Sequence, residues 1–202
     1  MSEPKITIID YGVGNLHSLK RAFKFFDVDA AISEDADEIL NSDAVVLPGV
    51  GSFEAGMRGL KIRGLADAVK TFAASGKPVL GICLGAQILL SEGHEFGVFE
   101  GLDVIPGKVV RFPELAGGEK IPHVGWNKVR SPGGDAWNKD FYFVHSYILK
   151  PDKNEHIFGR TTYGGQEFCS VVKKDNIYGT QFHPEKSGGA GLEVIKNFIK
   201  TT

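Results

Sequence analysis

Three short runs of aliphatic, mostly β-branched residues constrain this chain more than any other feature, because each stops at a tight turn and gives way to a helical pattern. Lys5-Ile6-Thr7-Ile8-Ile9-Asp10 ends at Tyr11-Gly12-Val13-Gly14-Asn15, after which Leu16, Leu19, Phe23 and Phe26 recur at helical spacing. Asp43-Ala44-Val45-Val46-Leu47 ends at Pro48-Gly49-Val50-Gly51. Leu65, Ala68, Val69 and Phe72 mark the next helix, stopped by Gly76 and Pro78 in the order that terminates helices. Pro78-Val79-Leu80-Gly81-Ile82 then leads through Cys83 into a helical stretch reaching Gln87 and Leu90. Buried-type strands alternating with helices predict βαβ units around a parallel sheet.

The later half changes character. Residues 103–105, 108–112, 141–147, 157–163 and 168–173 read as strands without intervening helices. Lys173-Lys174-Asp175-Asn176 is a hairpin turn into residues 177–182, and Leu192, Ile195, Phe198 and Ile199 close the chain as an amphipathic helix. The expectation is one α/β domain spanning residues 1–202. Its central sheet is mostly parallel with helices on both faces, and antiparallel strands are added in the C-terminal half. A chain of 202 residues buries roughly 70% of its unfolded surface, enough for one large core. Its 26 glycines, about 13% of the chain against a usual ~7%, fall at the ends of apolar runs and so indicate turns rather than disorder.

Composition removes several function classes. With 23 basic against 25 acidic side chains, there is no basic excess for nucleic acid. No apolar run approaches the ~20 residues that cross a bilayer, so no membrane segment is expected. The start Met1-Ser2-Glu3-Pro4-Lys5 lacks a signal-peptide pattern. Two cysteines far apart make no disulfide framework and suit a reducing compartment, here the cytoplasm. Gly12-x-Gly14 is followed by His17 where a dinucleotide turn needs glycine, and no Gly-Lys-Ser/Thr occurs. Neither C-x-x-C nor H-E-x-x-H spacing is present, so neither a metal nor another cofactor is expected.

What remains is a cysteine. Gly81-Ile82-Cys83-Leu84-Gly85 has the glycine-x-nucleophile-x-glycine spacing of a nucleophile elbow, in which small residues let backbone approach a strained strand-to-helix turn. The helix starting after Cys83 favours its reactive thiolate. Cys169, without such brackets, reads as strand packing. A thiol nucleophile needs a base, and His183 in Gln181-Phe182-His183-Pro184-Glu185 has the best context. Proline keeps the residue before it extended. If Pro184 is extended too, Glu185 points the same way and can orient the imidazole. Gly49-Val50-Gly51 can present backbone N–H groups to an oxyanion. Taken singly, these fragments also fit a core cysteine, a surface turn and a tight strand exit.

Together they resemble the class I, triad-type glutamine amidotransferase family. Residues 81–87 resemble its nucleophile motif, 181–185 its His/Glu motif and 48–51 its oxyanion segment. Residues 10–15, 48–51, 105–109, 121–127, 142–147 and 183–187 resemble, in the family order, the branch serving histidine biosynthesis. Ala86 departs from the methionine many relatives carry, and leaves Gln87 in register. The resemblance implies that glutamine is hydrolysed to glutamate and ammonia through a thioester on Cys83, with His183 as base and Glu185 as its orienting group. Backbone N–H groups of Leu84, Gly49, Val50 and Gly51 would hold the oxyanion. It implies that Gln87, Glu95, His145, Ser146 and Tyr147 surround the amino-acid end of glutamine. Asn15, Trp126 and Lys186 would face a partner, although Trp126 equally suits a core aromatic. The implied partner is a (β/α)8-barrel cyclase, which uses the ammonia to form imidazole glycerol phosphate and an aminoimidazole carboxamide ribotide. Rival readings are the glutaminase of another amidotransferase, a free-standing γ-glutamyl hydrolase, and a non-enzymatic assembly protein with this fold.

Overall fold

The computed structural model describes residues 4–115 and 118–202; Met1, Ser2 and Glu3, on which the signal-peptide expectation partly rests, lie outside them. In the first half the order is β1 (Ile6–Ile9), α1 (Leu16–Lys24), β2 (Ala31–Ser33), α2 (Ala36–Leu40), β3 (Ala44–Leu47), α3 (Phe53–Ile62), α4 (Leu65–Ala74), β4 (Val79–Ile82) and α5 (Leu84–Ile88). Strands then dominate: β5 (Leu90–Gly93), β6 (Phe99–Glu100), β7 (Ile105–Arg111), β8 (His123–Lys128), β9 (Asp140–His145), β10 (Tyr147–Pro151), β11 (Ile157–Tyr163), β12 (Gln166–Lys174) and β13 (Ile177–Thr180). Helix α6 (Gly188–Ile199) ends the fold.

The main sheet runs β2-β1-β3-β4-β13-β12-β10-β7-β5-β6, with β11 pairing β12 off this path. From β2 to β13 all neighbours are parallel. β12 and β10 are then antiparallel to the strands before them. Every residue of β1, β3 and β4 is buried. Alternate side chains serve opposite faces. Ile6, Ile8, Ala44, Val46, Leu80 and Ile82 pack with Leu19, Phe23, Ile195 and Phe198 of α1 and α6. Ile9, Val45, Leu47 and Val79 pack with residues of α2, α3, α4 and α5. A third cluster, rich in aromatics, holds the small β8–β9 sheet against β12, with Phe141 and Phe182 stacked at 4.0 Å. Among the described residues no helix is long and apolar enough to cross a membrane.

Several local expectations change. The helix after Cys83 stops at Ile88, and Leu90 opens a strand instead. The two strands expected over residues 103–112 are one, β7, which passes through Gly107. The run 141–147 divides at Ser146, sending β9 to the small sheet and β10 to the main one. Helix α3, for which no element was expected, buries Phe53, Met57 and Leu60 at helical spacing, while Gly56 and Gly59 lower its helix propensity; a Cβ on Gly59 would lie 2.2 Å from the Tyr11 carbonyl. Close approach of helix to strand end requires glycine there, and it blurs the helical signal.

The strand that matters most for the site is β13. It comes from the far end of the chain yet lies parallel to β4, with Thr180 opposite Ile82. The carboxyl end of a parallel sheet is where such folds place ligands. Here it brings the residues after Ile82 beside those after Thr180.

Candidate active site

Cys83 follows β4 with φ 52° and ψ −106°, a backbone setting that side chains other than glycine rarely adopt. Strain of this kind costs about 1–3 kcal/mol and persists where the surroundings enforce it. Here they do. The Cys83 N–H donates to the Thr180 carbonyl at 2.7 Å, tying the elbow to β13. A Cβ on Gly85 would lie 1.7 Å from the Leu47 carbonyl oxygen, and one on Gly81 2.8 Å from the Ala86 Cα. The bracketing glycines thus allow backbone to pack on backbone, as the motif requires.

His183 is buried beyond β13, its N–H donating to the Tyr142 carbonyl at 2.9 Å and its carbonyl accepting from Ser187 Oγ at 2.6 Å. Its Nδ1 lies 2.8 Å from Glu185 Oε1. This contact corrects the route expected for it. Residues Pro184–Lys186 form a 3-10 turn rather than extended chain, so the carboxylate reaches the ring by curling back beneath it. Burial alone would lower the His183 pKa, but the facing Cys83 sulfur and the Glu185 carboxylate favour the imidazolium and raise it to about 9. The other ring nitrogen, Nε2, is buried without a partner at ordinary hydrogen-bond geometry, and so is Glu185 Oε2. The arrangement is a thiol, an imidazole and a carboxylate in series, with one ring nitrogen free for proton transfer.

The segment after β3 lies against the elbow. A Cβ on Gly49 would be 2.6 Å from Leu84 Cβ, 2.8 Å from the Gly85 nitrogen and 2.8 Å from the Tyr11 hydroxyl, which donates to the Pro48 carbonyl. Gly49 is therefore clamped. Gly51 has φ +107° and open space around it, while Val50 between them is exposed. Leu84 is buried at the first turn of α5. The two predicted halves of an oxyanion hole are thus in contact, and Gly51 supplies the conformational freedom.

The residues expected around the substrate divide. Gln87 is buried, its Nε2 3.3 Å from the Tyr147 carbonyl and 3.2 Å from Gln181 Oε1. Glu95 follows β5, and its Oε2 accepts the Phe53 N–H at 2.7 Å, next to the oxyanion segment. Ser146 turns the corner between β9 and β10, its carbonyl accepting from the Phe112 N–H. His145 is committed inward: Nδ1 is 2.8 Å from the Tyr147 carbonyl and Nε2 is 3.2 Å from His123 Nδ1. Because a carbonyl only accepts, Nδ1 of His145 carries hydrogen, Nε2 accepts, and His123 donates. Burial pushes both imidazoles down, His145 to about 3 and His123 to about 4. His123 also stacks on Tyr163 at 3.9 Å and on Phe143 at 4.9 Å.

Trp126 belongs to the surface rather than the core. It is 57% exposed on β8, beside Val124 at 54%, with Tyr142 of β9 packed edge-on at 6.2 Å. Asn15 caps α1, its Oδ1 accepting from the Ser18 N–H at 3.2 Å, and it is exposed, as is Lys186 in the turn after His183. Cys169 is buried in β12, and burial drives its thiol pKa up to about 12. Gln181, which carries no role in the motif pattern, also reaches the nucleophile, its Nε2 3.7 Å from Cys83 Sγ. Its place two residues before His183 was the available signal. Among the described residues no three His, Cys, Asp or Glu side chains are grouped to hold a metal ion.

Comparison with known proteins follows the same lines. The family model for class-I glutamine amidotransferases matches residues 7–201. The HisH 1 subunit of imidazole glycerol phosphate synthase from Legionella pneumophila (strain Paris) is 46% identical over 209 residues, covering 96% of this chain and 98% of the relative. The HisH subunit from Geobacter sulfurreducens is 47% identical over 204 residues, with 96% and 97% covered. That from Chlorobaculum tepidum is 43% identical over 201, with 96% and 99% covered. Among solved structures, a glutamine amidotransferase aligns with TM-score 0.77 at 18% identity over 96% of this chain and 97% of its own. PurLQS from Thermotoga maritima aligns with TM-score 0.70 at 18% identity, over 98% and 99%. At such identities the structural likeness speaks for the fold alone.

Proposed function

This chain belongs to the class-I glutamine amidotransferase family, and from that premise we propose that it is the glutaminase subunit of an imidazole glycerol phosphate synthase, acting in histidine biosynthesis. The observation that carries the chemistry is the meeting of Cys83 with the His183–Glu185 pair at the ends of two adjacent parallel strands. The choice of branch follows from the 43% to 47% identity to HisH subunits over nearly the whole chain.

In this reading His183 holds the proton of Cys83, and the thiolate attacks the γ-carboxamide carbon of glutamine. The tetrahedral oxyanion forms against the N–H groups of Leu84 and of Gly49, Val50 and Gly51; one such donor is worth about 10²–10³ in rate. Imidazolium His183 returns its proton to the leaving nitrogen, and ammonia departs. Water, deprotonated by the same imidazole, then hydrolyses the thioester and releases glutamate. Glu185 keeps the ring oriented and stabilises its charge. Gln87, Glu95, His145, Ser146 and Tyr147 shape the site for the amino-acid end of glutamine. His145 does so through the Tyr147 carbonyl, because both its ring nitrogens are taken.

The ammonia goes to a partner cyclase with a (β/α)8-barrel fold, in a cytoplasmic heterodimer with an internal ammonia channel. Trp126, Asn15 and Lys186 belong to the partner-facing surface, and exposure of Trp126 and Val124 on one strand supports this. A swing of the Val50–Gly51 peptide about Gly51 would couple partner binding to the oxyanion hole.

The test is glutamine hydrolysis by the chain alone, with the cyclase, and with cyclase plus its nucleotide substrate. Labelling with diazo-oxo-norleucine and mass spectrometry accompany it. Low activity alone, strong activity in the full mixture and an adduct on Cys83 are expected. Full activity without a partner would overturn the assignment to a synthase complex, and the absence of an adduct in every mixture would overturn the chemistry.

A further inference from the structure

Besides His183, the Cys83 sulfur has a polar neighbour that the mechanism above leaves unused. Gln181 is fully buried, its backbone N–H bonded to the Ser170 carbonyl at 2.9 Å, and its side chain reaches the sulfur at 3.7 Å, an ordinary separation for an N–H donor and the large sulfur atom. Which end of the amide faces the sulfur matters, because only the nitrogen can donate. A count of donors along the neighbouring chain decides it.

The Tyr147 carbonyl can only accept. It takes one hydrogen from His145 Nδ1 at 2.8 Å and another from the Gln87 side chain at 3.3 Å. Gln87 must therefore turn its NH2 toward Tyr147, and the second hydrogen of that same nitrogen points at Gln181, 3.2 Å away. A donor there requires an acceptor, so Gln181 presents Oε1 to Gln87 and Nε2 to Cys83. Turning the Gln181 amide over would set two NH2 groups against each other and aim an oxygen lone pair at the sulfur. In this buried setting both contacts are unfavourable.

We propose that Gln181 is a further catalytic residue, whose amide N–H donates to the Cys83 sulfur, favours its thiolate and holds it for attack, with Gln87 as the positioning residue that fixes the amide's orientation. The inference rests on the reading of Cys83 as the nucleophile. It gives Gln87 a task toward the enzyme's own sulfur as well as toward the substrate. A charged acceptor strengthens a hydrogen bond from a neutral donor, which is why the contact belongs to the thiolate form. The reactivity of a cysteine follows its thiolate fraction.

Iodoacetamide, a small neutral probe needing no substrate site, reads that fraction directly. Alkylation of Cys83 in the full chain is followed by mass spectrometry from pH 5 to pH 10, beside steady-state glutamine hydrolysis with partner present. In Gln181→Met the volume is kept and the donor lost. The alkylation midpoint should rise by about one pH unit and kcat fall roughly 10- to 100-fold, while KM stays within about two-fold. Gln87→Met never touches the sulfur and adds no charge, but it removes the donor that holds Gln181 Oε1, so the amide loses its fixed orientation toward Cys83. It should raise the alkylation midpoint in the same direction, and it decides the matter if Gln181→Met does not fold. Unchanged midpoints in folded variants overturn the role of Gln181. Failure of Cys83 to react in the unsubstituted chain would instead overturn the assignment of the nucleophile.

Discussion

Acid should unfold this protein through two histidines that are not part of the triad. His123 and His145 are both buried, bonded to each other, and set among Phe112, Phe143, Tyr163 and Phe168. Burial holds His145 at about 3 and His123 at about 4 in the folded state, whereas both titrate near 6.5 in an unfolded chain. Because the folded values lie below the unfolded one, the unfolded chain takes up the protons first. Stability is therefore complete above about pH 6.5 and is lost as the pH falls toward 4 and then 3. Between pH 6.5 and 5.0 each ring contributes a loss of about 1.5 kcal/mol, about 3 kcal/mol together, a large share of a typical 5–15 kcal/mol. His183, held at about 9, is protonated in the folded state throughout that window and offsets little of it. Urea denaturation at pH 6.5, 6.0, 5.5 and 5.0 measures the loss. The control is His123→Phe, which keeps an aromatic ring in the stack with Tyr163 and removes one proton site. It should lose about 1.5 kcal/mol less than the parent over the same interval. Equal losses in the two proteins would show that these rings do not govern the acid stability.

Three further outcomes are expected. Glu185→Gln keeps the turn but removes the charge facing His183 Nδ1, so kcat for glutamine should fall about 10²–10⁴-fold with the fold intact by circular dichroism; a rate near that of the parent would remove Glu185 from the mechanism. Gly85→Ala drives a Cβ to within 1.7 Å of the Leu47 oxygen. It should lower stability by about 2 kcal/mol and the melting temperature by roughly 4–8 °C, with glutaminase activity lost as the oxyanion segment is pushed from the elbow. Trp126→Ala should leave the melting temperature of the isolated chain almost unchanged, since the ring is mostly in solvent. It should weaken the partner complex by about 2 kcal/mol, near 30-fold in Kd by titration calorimetry; unchanged affinity would place the interface elsewhere.

By itself, the sequence determined the elements that local physics controls. Strands β1, β3 and β4 are apolar at nearly every position because both faces of a parallel sheet are covered, and glycines mark where they stop. Helices α1, α4 and α6 declared themselves by period; α3 carries the same period in Phe53, Met57 and Leu60, but Gly56 and Gly59, which serve contact with Leu84 and Tyr11, depress its helix propensity. The elbow around Cys83 was legible because its strained backbone demands small residues at fixed spacing. The neighbours of that cysteine were not, for they depend on β13 crossing back to pair with β4. Only this long-range pairing sets Thr180 against the elbow, His183 against the thiol and Gln181 against the sulfur. The turn at Pro184–Lys186, the inward commitment of His145 and the exposure of Trp126 were likewise decided by packing. A side chain's partners lie mostly on other strands, and no local pattern encodes which strand will arrive beside it.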